Sequence, residues 1–324
     1  MQYGKVDRID KPVSRIVEGS MVLDLEDVDA SMALLDALLE LGCNTIDLAH
    51  VYGGGKCERI VGDWMEARGN RDEIVILTKG AHHNADRNRV TDFDIKSDLY
   101  DSLARLKTDH VDLYVLHRDD PSVPVGPIVE ALNEHAEAGR IHAFGGSNWT
   151  VERLREANEY AEAHGLIPFG VSSPNFSLAD QVEEPWPGCL SLSGRQGCED
   201  RVWYQQSQMP VFTWSSLAQG FFSGLLTRDN FPQMEADEAL TESCVRAYCH
   251  PENFDRLERA AELAQEKDVV VPQIALAYVL CHPLNSFTLI GCRSGDEMSA
   301  NIEALALELT AEELAWLDLR TDTR

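Results

Sequence analysis

Eight times along the 324 residues, a short β-rich run is followed by a longer stretch whose apolar residues recur at helical spacing. Arg15–Met21 with Val28–Leu41, Thr45–Ala49 with Glu58–Arg68, and Ile74–Lys79 with Asp94–Leu106 form the first three pairs. Val111–His117 with Pro127–Ala138 and Ile141–Ser147 with Val151–His164 follow, and Phe169–Ser173 opens the sixth. Residues 174–209, with Pro185, Pro187, Gly188, Gly194 and Gly197, read as a long loop with short helical turns. Pro210–Ser215 and Phe287–Ile290 are the last strands. Helices are predicted over Asn253–Lys267, Pro272–Leu280, Asp296–Ala306 and Ala311–Leu319, the last capped at Thr310. Such an alternation builds a parallel sheet, and closure removes its edges. The expectation is a single α/β domain over residues 1–324, a (β/α)8 TIM barrel with long loops over its C-terminal face. A doubly wound open sheet is the alternative. Tyr3–Ser14 reads as a hairpin outside the barrel.

Barrels of this kind carry their chemistry at the C-terminal ends of the strands. The second strand runs into Asp47 and then Tyr52, the third ends at Lys79, and the fourth ends at His117. Each has an ordinary structural reading: Asp47 as a turn cap, Tyr52 as loop packing, Lys79 as a solvated amine, His117 as a satisfied core imidazole. Together they suit carbonyl reduction. A phenol is a poor acid near neutrality, and an adjacent ammonium is expected to lower its pKa. Asp47 would keep Lys79 charged, His117 would donate a hydrogen bond to the carbonyl oxygen, and Tyr52 would supply the proton. The hydride must come from a cofactor.

Composition narrows the partners. Fifty-five acidic against 28 basic side chains give a net charge of −27, which repels nucleic acid and anionic membranes. No apolar run approaches the roughly 20 residues that span a bilayer, and the opening residues lack the apolar block of a signal peptide. A cytoplasmic location is therefore expected. The eight cysteines form no Cys-x-x-Cys pair, Cys244, Cys249 and His250 lack a second half, and no metal is expected.

The segments IDLAHVYG, LTKG, VDLYVLHRDD, GGSNW, WSSLAQGFFSG and IGCRSGDEMSANIEAL together resemble the aldo-keto reductase family, in a branch related to potassium-channel β subunits. The resemblance covers about Val13 to Leu305. It implies an Asp–Tyr–Lys–His tetrad at Asp47, Tyr52, Lys79 and His117, and a nicotinamide dinucleotide extended across the barrel mouth. Ser147 and Asn148 match the pair that holds the carboxamide, with helix capping as their other reading. Ser173 stands where the family usually has Gln. Trp214 matches the residue stacked on the nicotinamide, and Gly19 and Ser20 the segment beneath it. Ser215, Leu217 and Gly220 match the pyrophosphate loop, with Ser216 in place of a common proline. Gly291, Arg293, Ser294, Glu297 and Asn301 match the adenosine end. Arg293 and Ser294 favour NADP and Glu297, replacing a common Gln or Arg, would suit NAD; the expected cofactor is NADP, with NAD as the alternative. The chain lacks a Gly-x-Gly-x-x-Gly fingerprint, which a barrel-bound dinucleotide does not need.

His50, Val51, Arg118 and Trp149, with Trp186, Trp203 and Tyr204 of the long loop, are expected to line the mouth. Such a lining suits small-molecule carbonyl, sugar or polyol substrates. Two other functions fit the same residues. One is a dinucleotide-binding redox sensor with little turnover; the other is a lyase forming a Schiff base on Lys79.

Overall fold

A computed structural model describes residues 1–324. Two short strands, β1 (Tyr3–Gly4) and β2 (Val13–Ser14), pair antiparallel with Tyr3 opposite Ser14. The repeat then runs β3 (Ile16–Gly19), α1 (Val28–Glu40), β4 (Thr45–Asp47), α2 (Lys56–Arg68), β5 (Val75–Gly80), α3 (Asp92–Leu106), β6 (Val111–Leu116) and α4 (Val125–Glu137). It continues through β7 (Ile141–Ser147), α5 (Val151–His164), β8 (Val171–Ser173), α6 (Cys198–Ser207), β9 (Val211–Thr213) and the helices α7 (Phe231–Ala236), α8 (Glu242–Tyr248), α9 (Pro251–Lys267) and α10 (Val271–Leu280). The chain closes with β10 (Ser286–Ile290), α11 (Gly295–Glu303) and α12 (Ala311–Leu317), and β10 pairs with β3 to complete a closed parallel barrel.

Two packing layers follow from the period-two alternation of strands. Val17, Val75, Leu77, Leu113, Val115, Ala143, Val171, Phe212, Phe287 and Leu289 point inward and fill the barrel. Their neighbours, such as Ile46, Ile76 and Tyr114, point outward and meet the helices in a larger cluster. Val6, Ile9 and Val13 join the inner cluster, so the segment linking β1 and β2 plugs one end of the barrel. That segment precedes β3, and the plug therefore lies at the N-terminal face. The helices start on local signals. Thr91, Thr150 and Thr310 accept the N–H three residues on, and Thr310 forms a reciprocal capping box with Glu313.

The expected long loop differs in one respect. Within residues 174–209, Cys198–Ser207 forms a helix of 10 residues. It packs beside α5: Arg155 lies over the Trp203 ring at 5.7 Å, and Tyr204 is buried with its hydroxyl 2.7 Å from Ser172 Oγ. Trp203 and Tyr204 thus belong to the barrel wall, not to its mouth. No helix is long and apolar enough to cross a membrane.

Candidate active site

The inward register of each strand extends, two residues on, to a side chain or backbone position at the mouth. Val17 leads to Gly19, Thr45 to Asp47, Leu77 to Lys79, Val115 to His117, Gly145 to Ser147, Val171 to Ser173, Phe212 to Trp214 and Leu289 to Gly291. The same alternation that fills the core with apolar groups therefore sets a ring of functional candidates on top of it.

On the β4–β5–β6 side of this ring, Lys79 is buried and its ammonium connects three groups. It donates to Asp47 Oδ1, to the Leu48 carbonyl at 3.3 Å and to Tyr52 Oη at 3.4 Å. The Tyr52 ring stands edge-on to the His117 ring, with centroids 5.6 Å apart. Asp47, Tyr52, Lys79 and His117 are brought together as expected from their strand ends.

The turn after Tyr52 supplies a feature that the motif alone does not explain. Gly53, Gly54 and Gly55 all have positive φ, a path that glycine follows without strain. A side chain at Gly55 would strike the Arg105 guanidinium at 2.6 Å. Arg105 in turn pairs with buried Glu58 at 3.0 Å and donates to the His50 carbonyl at 2.9 Å, while Thr78 donates to Glu58 at 2.7 Å. Arg105 and Glu58 hold the Tyr52 loop against α3. Neither was among the sequence candidates: an acid in the first turn of α2 and a base in the last turn of α3 read as ordinary helix-end charges.

Electrostatics differ from expectation at Tyr52. Burial pushes its phenol above the ordinary value; Lys79 pulls it down, and buried Asp47 adds to the rise. The ammonium thus limits the rise without reversing it. Burial also raises the Asp47 carboxyl despite the adjacent ammonium. Burial alone would lower Lys79, but Asp47 and Tyr52 outweigh it and keep the ammonium charged. Burial, with the charges of Lys79 and Arg118, holds His117 well below the usual imidazole value. His117 is therefore neutral at pH 7, and its Nδ1 is buried without a partner.

The other side of the ring is unfinished in a way that fits a polar ligand. Ser20 Oγ, Ser173 Oγ and Trp214 Nε1 are buried and unpartnered. Ser147 Oγ donates to the Ser173 carbonyl at 2.8 Å and Asn148 Nδ2 to Ser147 Oγ at 3.1 Å, with Asn148 in the left-handed region. Ser215, Ala218, Gln219 and Gly220 also have positive φ, so the backbone after β9 turns repeatedly near Leu217. Buried Glu18 accepts the Cys292 N–H at 3.1 Å and anchors the loop of Gly291 and Arg293. Ser294 caps α11 at Glu297 N, and Glu297 Oε2 accepts the Arg293 N–H at 2.7 Å. Arg293 is exposed and forms no ion pair, while Asn301 is buried and donates to Cys292 Sγ at 3.4 Å.

The expected substrate contacts separate. Arg118 is buried beside His117, and Val51 is exposed. His50 Nε2 lies 3.1 Å from Asp101 Oδ2 on α3. Trp149 is 2% exposed, packs on Phe169 and donates to the Arg118 carbonyl at 3.3 Å. It is core, because Gly146 leaves it room against the strand. Trp186 is exposed with its ring 6.1 Å from that of Trp214. At the plugged end, ligand atoms of His110, Asp112 and His142 lie within 4.8 Å of one another, but Asp112 already pairs with Lys11 at 2.7 Å and Arg71 at 3.0 Å.

The model of the Aldo/keto reductase family matches residues 15–319. The chain belongs to this family. It is, with it, an NAD(P)H-dependent oxidoreductase. Norsolorinic acid reductase stcV of Emericella nidulans is 30% identical over 308 residues, spanning 88% of this chain and 70% of that protein. The NADP(+) aryl-alcohol dehydrogenase of Phanerodontia chrysosporium is 27% identical over 311 residues, 90% of this chain and 76% of the relative. An uncharacterized oxidoreductase, YrpG of Bacillus subtilis, is 27% identical over 333 residues, 98% and 95% of the two chains. Among solved structures, a thermostable aldo-keto reductase bound to the inhibitor epalrestat superposes with a TM-score of 0.74 at 20% identity, over 98% of this chain and 99% of that one. That likeness carries the fold, an eight-stranded parallel barrel ringed by helices.

Proposed function

We propose that this aldo-keto reductase reduces aldehyde or ketone carbonyls, or oxidises the corresponding alcohols, with Tyr52 as general acid and base and NADP(H) as its preferred cofactor. The observation that carries the reading is the Lys79 ammonium, shared between Asp47 and the Tyr52 hydroxyl inside the mouth. A bound nicotinamide supplies the hydride, which no side chain can give. Ser147, Asn148, Ser173 and Trp214 would hold its ring, Gly19 and Ser20 would lie beneath it, and Ser215, Leu217 and Gly220 would follow the pyrophosphate.

Tyr52 holds the proton to be transferred, and burial keeps it on the phenol at neutral pH. Lys79 favours the phenolate that remains after transfer, and Asp47 orients Lys79. Neutral His117 donates a ring N–H to the carbonyl oxygen as charge develops there. Arg293 supports NADP, since a free, exposed guanidinium suits a 2′-phosphate. Glu297 turns its carboxylate onto the Arg293 backbone N–H and so leaves that guanidinium unpaired.

The test is Tyr52→Phe. Turnover with NADPH should fall about 10²–10⁴-fold, while the dissociation constant for NADPH, read by protein fluorescence, stays close to native. Near-native turnover would remove Tyr52 from its role. A dinucleotide-binding redox sensor is the second reading, favoured if cofactor binds tightly but a panel of carbonyls is not reduced.

A further inference from the structure

Four cationic residues of this chain are more than nine-tenths buried: Lys79, Arg118, Arg153 and Arg256. Three have a carboxylate. Lys79 contacts Asp47, Arg153 pairs with Asp119 at 2.9 Å, and Arg256 pairs with Asp180 at 2.8 Å. Arg118 has none. Its guanidinium donates only to the His117 carbonyl at 2.9 Å and to Cys189 Sγ at 3.7 Å, and its Nε is buried without any partner. An arginine does not lose its proton, so the charge stays. Burying it without a counter-charge is costly, and natural structures place such charges against a partner. In a chain with 55 acidic side chains, the absence of one here singles out the position.

The surroundings indicate where the missing anion comes from. Arg118 follows His117 directly, and its charge reaches the Tyr52 phenol as well as the His117 ring. It borders an open cleft of about 610 Å³, together with His83, Asn148, Pro187, Gly188 and Leu190. The acids of that cleft are not available to it: Asp119 and Glu156 both hold Arg153, each at 2.9 Å, and Glu152 is exposed to solvent. The cleft thus exposes one unneutralised buried cation to ligands, and that cation is tied to the reacting centre through the His117 carbonyl and shares Asn148 with the cleft wall. Nothing comparable faces the outer helices, where the larger hollow beside Tyr100 and Lys107 is a surface depression.

We infer that Arg118 is the anchor for an anionic group on the substrate, and that this enzyme acts on carbonyl compounds that also carry a carboxylate. The inference rests on the reductase reading above and adds the substrate class to it. A carboxylate accepts both arms of a guanidinium fork, which fixes orientation as well as affinity. Desolvated in the cleft, that contact also fixes which carbonyl face meets His117 and Tyr52.

The measurement compares 4-carboxybenzaldehyde with its methyl ester, methyl 4-formylbenzoate, in the full chain with saturating NADPH. Native protein should show a kcat/KM at least about tenfold higher for the acid. Arg118→Met should abolish that ratio, mainly through KM for the acid, and Arg118→Lys should restore part of it. An ester reduced as well as the acid, or a preference that survives Arg118→Met, would overturn the inference. Benzoate, which cannot be reduced, provides a second readout: it should raise Tm of the NADPH-loaded native protein and leave Arg118→Met unmoved. Equal shifts in both would count against it. The cofactor phosphates are the other possible anion, so NADPH affinity is measured in Arg118→Met; a tenfold loss would assign the guanidinium to the cofactor and overturn the proposal. If neither aldehyde is reduced, the reductase reading fails, and the benzoate shift alone then decides whether Arg118 is an anion site.

Discussion

Strand β6 carries a buried charge near each end, and the two are treated in opposite ways. At the plugged end, Asp112 meets Lys11 at 2.7 Å, Arg71 at 3.0 Å and the Ile76 N–H at 2.9 Å. At the open end, Arg118 meets no carboxylate at all. Both residues are more than nine-tenths buried. The difference shows how to tell a charge kept for the fold from one kept for a ligand. The first is neutralised by the chain itself; the second waits for a counter-charge that folding does not supply.

The strongest way to test this division is at the tetrad, where Lys79 is paired and, on the proposed function, also serves the reaction. Lys79→Met should lower turnover by at least about 10²-fold. It should also move the residual alcohol oxidation to more alkaline pH, because Tyr52 loses the charge that lowers its pKa. Asp47→Asn should be milder, since Lys79 remains. Equal and small effects in the two pH–rate profiles would mean that the pair is structural, like that of Asp112.

Stability should respond in opposite directions at the two ends of β6. Asp112→Ala strands two partly buried cations and should cost about 3–5 kcal/mol in urea denaturation. Arg118→Met removes an uncompensated charge while keeping an unbranched side chain, and should raise Tm by a few degrees. A large loss of stability in Arg118→Met would erase the distinction between the ends.

His117 gives a pH-dependent version of the same comparison. Its folded pKa is depressed, so its contribution to stability is fully present above the unfolded value near 6.5 and is lost as pH falls below it. Native protein should lose up to about 1.4 kcal/mol for each pH unit below 6.5 from this group alone. His117→Gln should therefore show a shallower fall of Tm between pH 7 and 5 than native protein. Parallel curves would contradict the burial argument.

The smallest effect is expected at Arg293, an exposed cation whose contacts are screened by salt. Arg293→Ala should lower kcat/KM for NADPH about 3–10-fold relative to NADH, less so at high salt. A native preference for NADH would reverse the cofactor assignment without touching the tetrad.

The barrel and the tetrad were legible because both rest on one local period. Leu77 and Lys79, or Val115 and His117, are two residues apart on one strand, so a sequence pattern places them on the same inward face. Helix α6 was not legible, since CEDRVWYQQS buries only Tyr204 and shows little apolar period. Nor were α7, which buries no residue, and α8, a helix of 7 residues. Trp149 looked like a rim aromatic because its burial depends on Phe169 and Gly146, which are set by tertiary packing. The direction of the Tyr52 shift was missed for a similar reason: the Lys79 neighbour is readable from strand ends, whereas desolvation depends on the whole mouth. The missing partner of Arg118 is the extreme case, since an absent contact leaves no mark on the residues themselves.

Val6, Ile9 and Val13 close one end of a barrel whose interior is already filled by side chains, so ligands approach Lys79 and Tyr52 from the mouth. On the function proposed above, substrate, product and the proton that recharges Tyr52 would all pass the same opening. Any ligand seated in that opening therefore also stands between the phenol and bulk water. Recharging of Tyr52 is then tied to departure of the product, and the order of the two steps becomes a property of the architecture as much as of the chemistry.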